Sequence, residues 1–157
     1  MKVGCMNGER EHPPPSPGLS GWALRATVTV HAVVAFGQPV FAGVYLTGNI
    51  GGLSWHATGA DVVFSLGLTQ MVVAAIASRR MRRWWPAVGS ALILMAETGQ
   101  YFAGLSGLLW LHVPLGVAII ASLAVQFVVV WTRPLRTLSR TVEGDGAGVI
   151  APVISDA

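Results

Sequence analysis

Between residues 22 and 132 the chain alternates long apolar stretches with short polar breaks. Four stretches stand out, at 22–46, 57–78, 84–106 and 109–132. Each is long enough to cross a hydrocarbon layer of about 30 Å, which takes roughly 20 residues of helix. In hydrocarbon a backbone must satisfy its own N–H and C=O groups, and apolar runs of this length predict helices. Short connections between them predict neighbours that run in opposite directions. The expected fold is therefore all-α, an integral membrane four-helix up-down-up-down bundle over residues 21–132. Residues 1–20, with their PPPSP run and no apolar core, are expected to form a disordered cytoplasmic tail and not a secretory signal, and residues 133–157 a second tail.

The charges give this bundle a direction. Arg79, Arg80, Arg82 and Arg83 fall between the second and third stretches, Lys2, Arg10 and Arg25 lie at or before the first, and Arg133, Arg136 and Arg140 follow the fourth. The connections at 47–56 and 105–110 carry no Lys or Arg. The positive-inside bias then places both termini and the middle loop in the cytoplasm, and the membrane is most simply a bacterial cytoplasmic membrane. Trp22, Trp84, Trp85 and Trp131 fall at the inner boundary and Trp55 and Trp110 at the outer one, where amphipathic rings anchor spans. Hydrophobic residues make up 53% of the chain and charged residues 11%, far from the make-up of a soluble domain. The net charge of +3 sits beside the spans, so it reports orientation and gives no support for nucleic-acid binding. Cys5 has no second cysteine to pair with, and the sequence contains no nucleotide-binding loop or nucleophile elbow.

A second regularity lies inside the apolar pattern. GQPVFAG runs from Gly37 to Gly43, and GQYFAG from Gly99 to Gly104. Trp22 precedes Gln38 by sixteen residues, as Trp84 precedes Gln100; His56 precedes Gln70 by fourteen, as His112 precedes Gln126. The offset is 62 in the odd helices and 56 in the even ones, which puts the length difference in the outer turns, where it is best tolerated. The pattern predicts two repeated helical hairpins related by an axis along the membrane normal.

The repeat places His56 at the start of the second span and His112 at the start of the fourth, at matching depth near the outer face. In this topology the two helices lie diagonally across one interior. An intramembrane imidazole is costly unless partnered. Two of them, flanked by Gly59 and Gly116, invite a flat metal-bearing guest: one haem b, with a neutral nitrogen about 2 Å from iron on each side. Two axial histidines saturate the iron, so the expected task is electron transfer. Gly43 and Gly104 are candidates for admitting the macrocycle to the odd helices. For Gln38 and Gln100 the choice lies between interhelical hydrogen bonds and a polar rim or quinone contact, with the former expected, as it is for Gln70 and Gln126.

With these residues in view, the sequence resembles one four-helix half of the haem A synthase family, whose halves carry histidines near the outer ends of their second and fourth helices. WHATGADVVFSLGLTQ and LHVPLGVAIIASLAVQ are similar to those two helix starts, and GQYFAG to the third-helix segment before the second histidine. The resemblance implies that His56 and His112 are axial ligands. Leu53 stands where the family's catalytic half has a glutamate, and the second half is missing, so the resemblance implies haem methyl oxidation only for a homodimer.

Three further polar residues lie within the spans. His31, about 14 Å along its helix from Trp22, shares a face with Gln38 and is expected to be a buried hydrogen-bonding partner, a proton relay or a quinone-site residue. Glu97, near the bilayer middle, should be protonated, paired with His31 or exposed to an internal polar cavity. His31 and Glu97 are the candidate catalytic residues. Asp61, about 140° round the helix from His56, is expected to face Thr58 and water. Three functions remain open: a haem-binding electron-transfer protein with a quinone or respiratory-chain partner, a haem-modifying enzyme, and a non-haem accessory subunit whose histidines cap helix starts and bond to loop carbonyls; a transporter is a weaker fourth, since four short-looped spans leave little room for alternating access.

Overall fold

The computed structural model describes residues 17–135. They form four helices: α1 (Leu19–Leu46), α2 (Gly51–Met81), α3 (Trp85–Leu105) and α4 (Leu109–Thr132), with no strand among the described residues. Each helix packs on the next and α4 closes on α1, while the diagonal pairs α1/α3 and α2/α4 make no backbone contact. The start of α1 lies beside the end of α4, where Arg25 Nε donates to the Val130 carbonyl at 3.0 Å.

α2 begins six residues before the expected boundary, so His56 lies in its second turn and not at its start. Hydropathy marks where a helix enters lipid, and helical backbone continues beyond that point wherever it can bond to itself. Gly48, with φ 93°, makes the turn, and the Asn49 side chain accepts the Gly51 N–H at 3.0 Å. Gly52 then lets α2 lie against α1, since a Cβ there would sit 2.5 Å from the Tyr45 nitrogen. At the other end Arg82 adopts φ 52°, a left-handed cap rare for a residue with a side chain, and Arg83 N–H reaches back to the Ser78 carbonyl at 3.0 Å. The Ser78 hydroxyl accepts the Ala87 N–H and ties the arginine turn to α3.

Two apolar clusters fill the interior. One joins Leu24, Val28, Ala74, Ala77, Met81, Val130 and Leu135; the other joins Ala32, Ala35, Ile93, Ile119 and Leu123. Two tail boundaries shift as a result. The helix takes up residues 19 and 20, and Leu135 is buried against Gly21, so packing reaches past residue 132. Residues 1–16 and 136–157, including Cys5 and the flanking basic residues Lys2, Arg10, Arg136 and Arg140, lie outside the described residues.

The outer surface is apolar, with Val33, Phe36, Leu92, Met95, Val117 and Val125 all exposed. Three helices, α1, α2 and α4, are long and apolar enough to cross a membrane. Four were expected. α3 falls short because Glu97, Thr98 and Gln100 interrupt it, and the bundle accommodates these groups by turning Glu97 into its interior.

Candidate functional site

Polar side chains from opposite helices meet inside the bundle at two levels. At the upper level His56 on α2 and His112 on α4 reach across the diagonal, with ring centroids 5.9 Å apart and ring planes at 74°. Each ring is held by the helix beside it: His56 Nδ1 lies 3.2 Å from the Gln38 carbonyl, and His112 Nδ1 lies 3.0 Å from the Gln100 carbonyl. A carbonyl only accepts, so both Nδ1 atoms carry the proton, and each neutral ring keeps its lone pair on Nε2. This orienting bond is the one that metal-ligating histidines commonly make.

Small residues and unpaired amides surround the pair. A Cβ on Gly104 would lie 3.0 Å from the His112 ring. The Gln38 amide covers Gly59, and the Gln100 amide lies 2.8 Å from where a Gly116 Cβ would sit. Gln38 Nε2 and Oε1 and Gln100 Oε1 are buried without a hydrogen-bond partner among the described residues. The interhelical side-chain bonds expected of these two glutamines are therefore not made; their backbone carbonyls act instead. Gly43 is exposed with open space about it, away from the histidines. It follows Gln38 by five residues, about 140° round the helix, whereas Gly104 follows Gln100 by four, about 40°. By the 62-residue offset, the position that corresponds to Gly104 is Ala42, not Gly43.

The lower level is a continuous buried network. His31 Nδ1 donates to Gln70 Oε1 at 2.9 Å; Gln70 Nε2 donates to Gln126 Oε1 at 3.0 Å and Ser90 Oγ at 3.3 Å; Gln126 Nε2 donates to Ser90 Oγ at 3.0 Å. His31 Nε2 lies 2.8 Å from Glu97 Oε1, a short approach that is not aligned as a hydrogen bond. Every helix contributes, and all five residues are buried. Glu97 Oε2 has no hydrogen-bond partner among the described residues and presses on Gly67, where any Cβ would overlap it.

Of the three states expected for Glu97, the structure shows a close approach to His31, and the interhelical bonds expected of Gln70 and Gln126 are made. His31 uses Gln70 and Glu97, not Gln38. Ser90, which accepts from both glutamines, was missed, although it lies seven residues before Glu97 and so on the same face. Asp61 accepts a hydrogen bond from Tyr101 at 3.0 Å beside a groove of about 280 Å³ shared with Phe64 and Thr98. Among the described residues no three of His, Cys, Asp and Glu converge as metal ligands, so His56 and His112 are two donors without a third.

Searches of protein-family models, curated proteins and solved structures find no match to this chain.

Proposed function

We propose that this chain is an integral membrane electron-transfer protein that holds one haem b between His56 and His112. The observation that carries the reading is the paired geometry of those rings: both Nδ1–H groups are committed to helix carbonyls and both Nε2 atoms are free, at a centroid separation of 5.9 Å. Two metal–nitrogen bonds of about 2 Å plus about 1 Å from each nitrogen to its ring centre give a separation of about 6 Å. The unpaired amide atoms of Gln38 and Gln100 at the same level suit a site built for a guest. Binding would move these amides off Gly59 and Gly116, opening the glycine surfaces to a flat ligand.

In this reading the bundle is up-down-up-down, its two hairpins are a repeat, and both termini face the cytoplasm, which sets the histidines near the outer face. The repeat is supported by the matching bonds of His56 to Gln38 and His112 to Gln100 across equivalent helix pairs. The surrounding lipid is implied by the apolar outer faces, and a membrane quinone or respiratory-chain protein is the partner class suited to that location. Bound haem supplies a one-electron ferric/ferrous couple. The protein's part is to fix both imidazole tautomers through α1 and α3 and to keep the rings from turning away.

Two alternatives receive less support. Haem oxidation would call for the missing glutamate, and Leu53 is half exposed to the outside. An accessory role resting on histidines that cap helix starts fits poorly with bonds to carbonyls inside α1 and α3. The test is a visible spectrum of the detergent-purified protein, oxidised and then reduced with dithionite. A sharp reduced α-band that is lost in the His56→Ala, His112→Ala double variant is expected; no haem band in wild type, or a band that survives the double substitution, would refute the proposal.

A further inference from the structure

We infer that the His31–Glu97 pair is a buried proton-binding site whose hold on a second proton tightens when an electron reaches the haem level above it. The inference rests on the haem reading for its coupling, but not for the proton site.

The hydrogen-bond network determines how many protons the pair holds at rest. Ser90 and Gln126 take both N–H groups of Gln70, so its Oε1 faces His31 and requires a proton on Nδ1. His31 can then vary only at Nε2, which lies 2.8 Å from Glu97 Oε1. Two unprotonated atoms would repel at that distance, so one proton lies on one or the other. The pair as a whole is neutral in either case, as an ion pair or as imidazole and carboxylic acid. Glu97 Oε2, buried and unpartnered, shows that the carboxyl's capacity for protons and hydrogen bonds is not exhausted. A second proton makes the pair cationic, a charge that a negative charge arriving nearby would offset.

An electron supplied by a membrane quinol would bring such a charge. Glu97 lies seven residues, about 10 Å, along α3 from Gly104, which touches His112; along α2, Gly67 lies eleven residues, about 16 Å, from His56. A unit charge at such distances, with an effective dielectric of about 20, changes proton affinity roughly five- to fifteenfold. At the pH where uptake is greatest, a change of that size corresponds to about 0.4–0.6 proton gained by the pair from water for each electron gained at the haem level, with no other bond made or broken. Other titratable groups stand farther off or are engaged. On α1, Arg25 is six residues from His31, bonded to Val130 and stacked on Trp22 and Trp131. On α2 and α3, Asp61 and Tyr101 bond to each other. α4 has no titratable side chain between His112 and Arg133.

Two measurements on the full chain test the inference. In redox-induced infrared difference spectra, reduced minus oxidised, the wild type should show a protonated-carboxyl feature that is absent in Glu97→Gln: a new positive band from a resting ion pair, or a shifted band from resting imidazole and carboxylic acid. In spectroelectrochemical titrations the wild-type midpoint potential should fall by about 40–70 mV in total as pH rises, since a tenfold affinity change equals about 59 mV for one electron. Glu97→Gln should flatten that dependence, and so should His31→Gln if the first variant fails to fold. A haem spectrum with a pH-independent midpoint, or an infrared band and slope unchanged in the variants, overturns the inference and leaves the haem reading standing. A protein without haem overturns the haem reading and the coupling together; an infrared pH titration of that protein then decides the proton site alone, a Glu97-dependent carboxyl band supporting it and its absence refuting it.

Discussion

Gln70 illustrates how a single side chain can set the state of others. Its carbonyl holds the His31 tautomer, and its amino group joins α2 to Ser90 and Gln126. Gln70→Leu would keep the volume but leave the His31 Nδ1–H and the Gln126 carbonyl without partners in a buried site. An unmade buried hydrogen bond costs about 1–3 kcal/mol, so a loss of about 2–3 kcal/mol is expected in reversible unfolding in detergent. A change below about 0.5 kcal/mol would mean the network is not formed in solution. At this scale the sequence showed which polar residues had to be explained, because each one inside an apolar span is costly. It could not show the partner of each. His31 shares a face with Gln38 on its own helix, yet bonds across to Gln70 on α2 and lies against Glu97 on α3, and that choice depends on helix rotations that no local pattern encodes.

At the scale of the element, close approach is concentrated at particular glycines. Gly52 lies against the α1 backbone, with the Tyr45 nitrogen 2.5 Å and the Phe41 carbonyl oxygen 2.9 Å from a would-be Cβ, whereas Gly43 has open space. Gly52→Ala must push α1 and α2 apart and should cost about 1–3 kcal/mol. Gly43→Ala should be neutral or stabilising by up to about 1 kcal/mol through helix propensity. Thermal unfolding of the two variants side by side checks this contrast, and equal effects would contradict the α1–α2 packing. Helix number and order were legible from apolar run length alone. The start of α2 was not, since Gly51, Gly52 and Ser54 dilute the one apolar residue there, Leu53, and their helical state follows from the Gly48 turn and the contact with α1. The length and apolarity of α3 by themselves understate its role, because its polar residues have partners in the bundle.

Across the whole molecule, the design places two polar levels inside an apolar shell, each bridging a diagonal that the backbones leave open. The meeting of His56 and His112 was legible because each precedes a glutamine by fourteen residues on alternate helices, a spacing that suggested matching depth. What remained hidden was the pair of carbonyls from Gln38 and Gln100 that fixes the rings, since backbone groups leave no trace in residue type. The central claim is that these two rings share one iron. Low-temperature electron paramagnetic resonance of the oxidised, haem-loaded protein tests it most directly: the wild type should give a low-spin ferric signal, and His56→Ala and His112→Ala should each convert it to high spin. A high-spin wild type, or a low-spin signal that persists in either single variant, would contradict it.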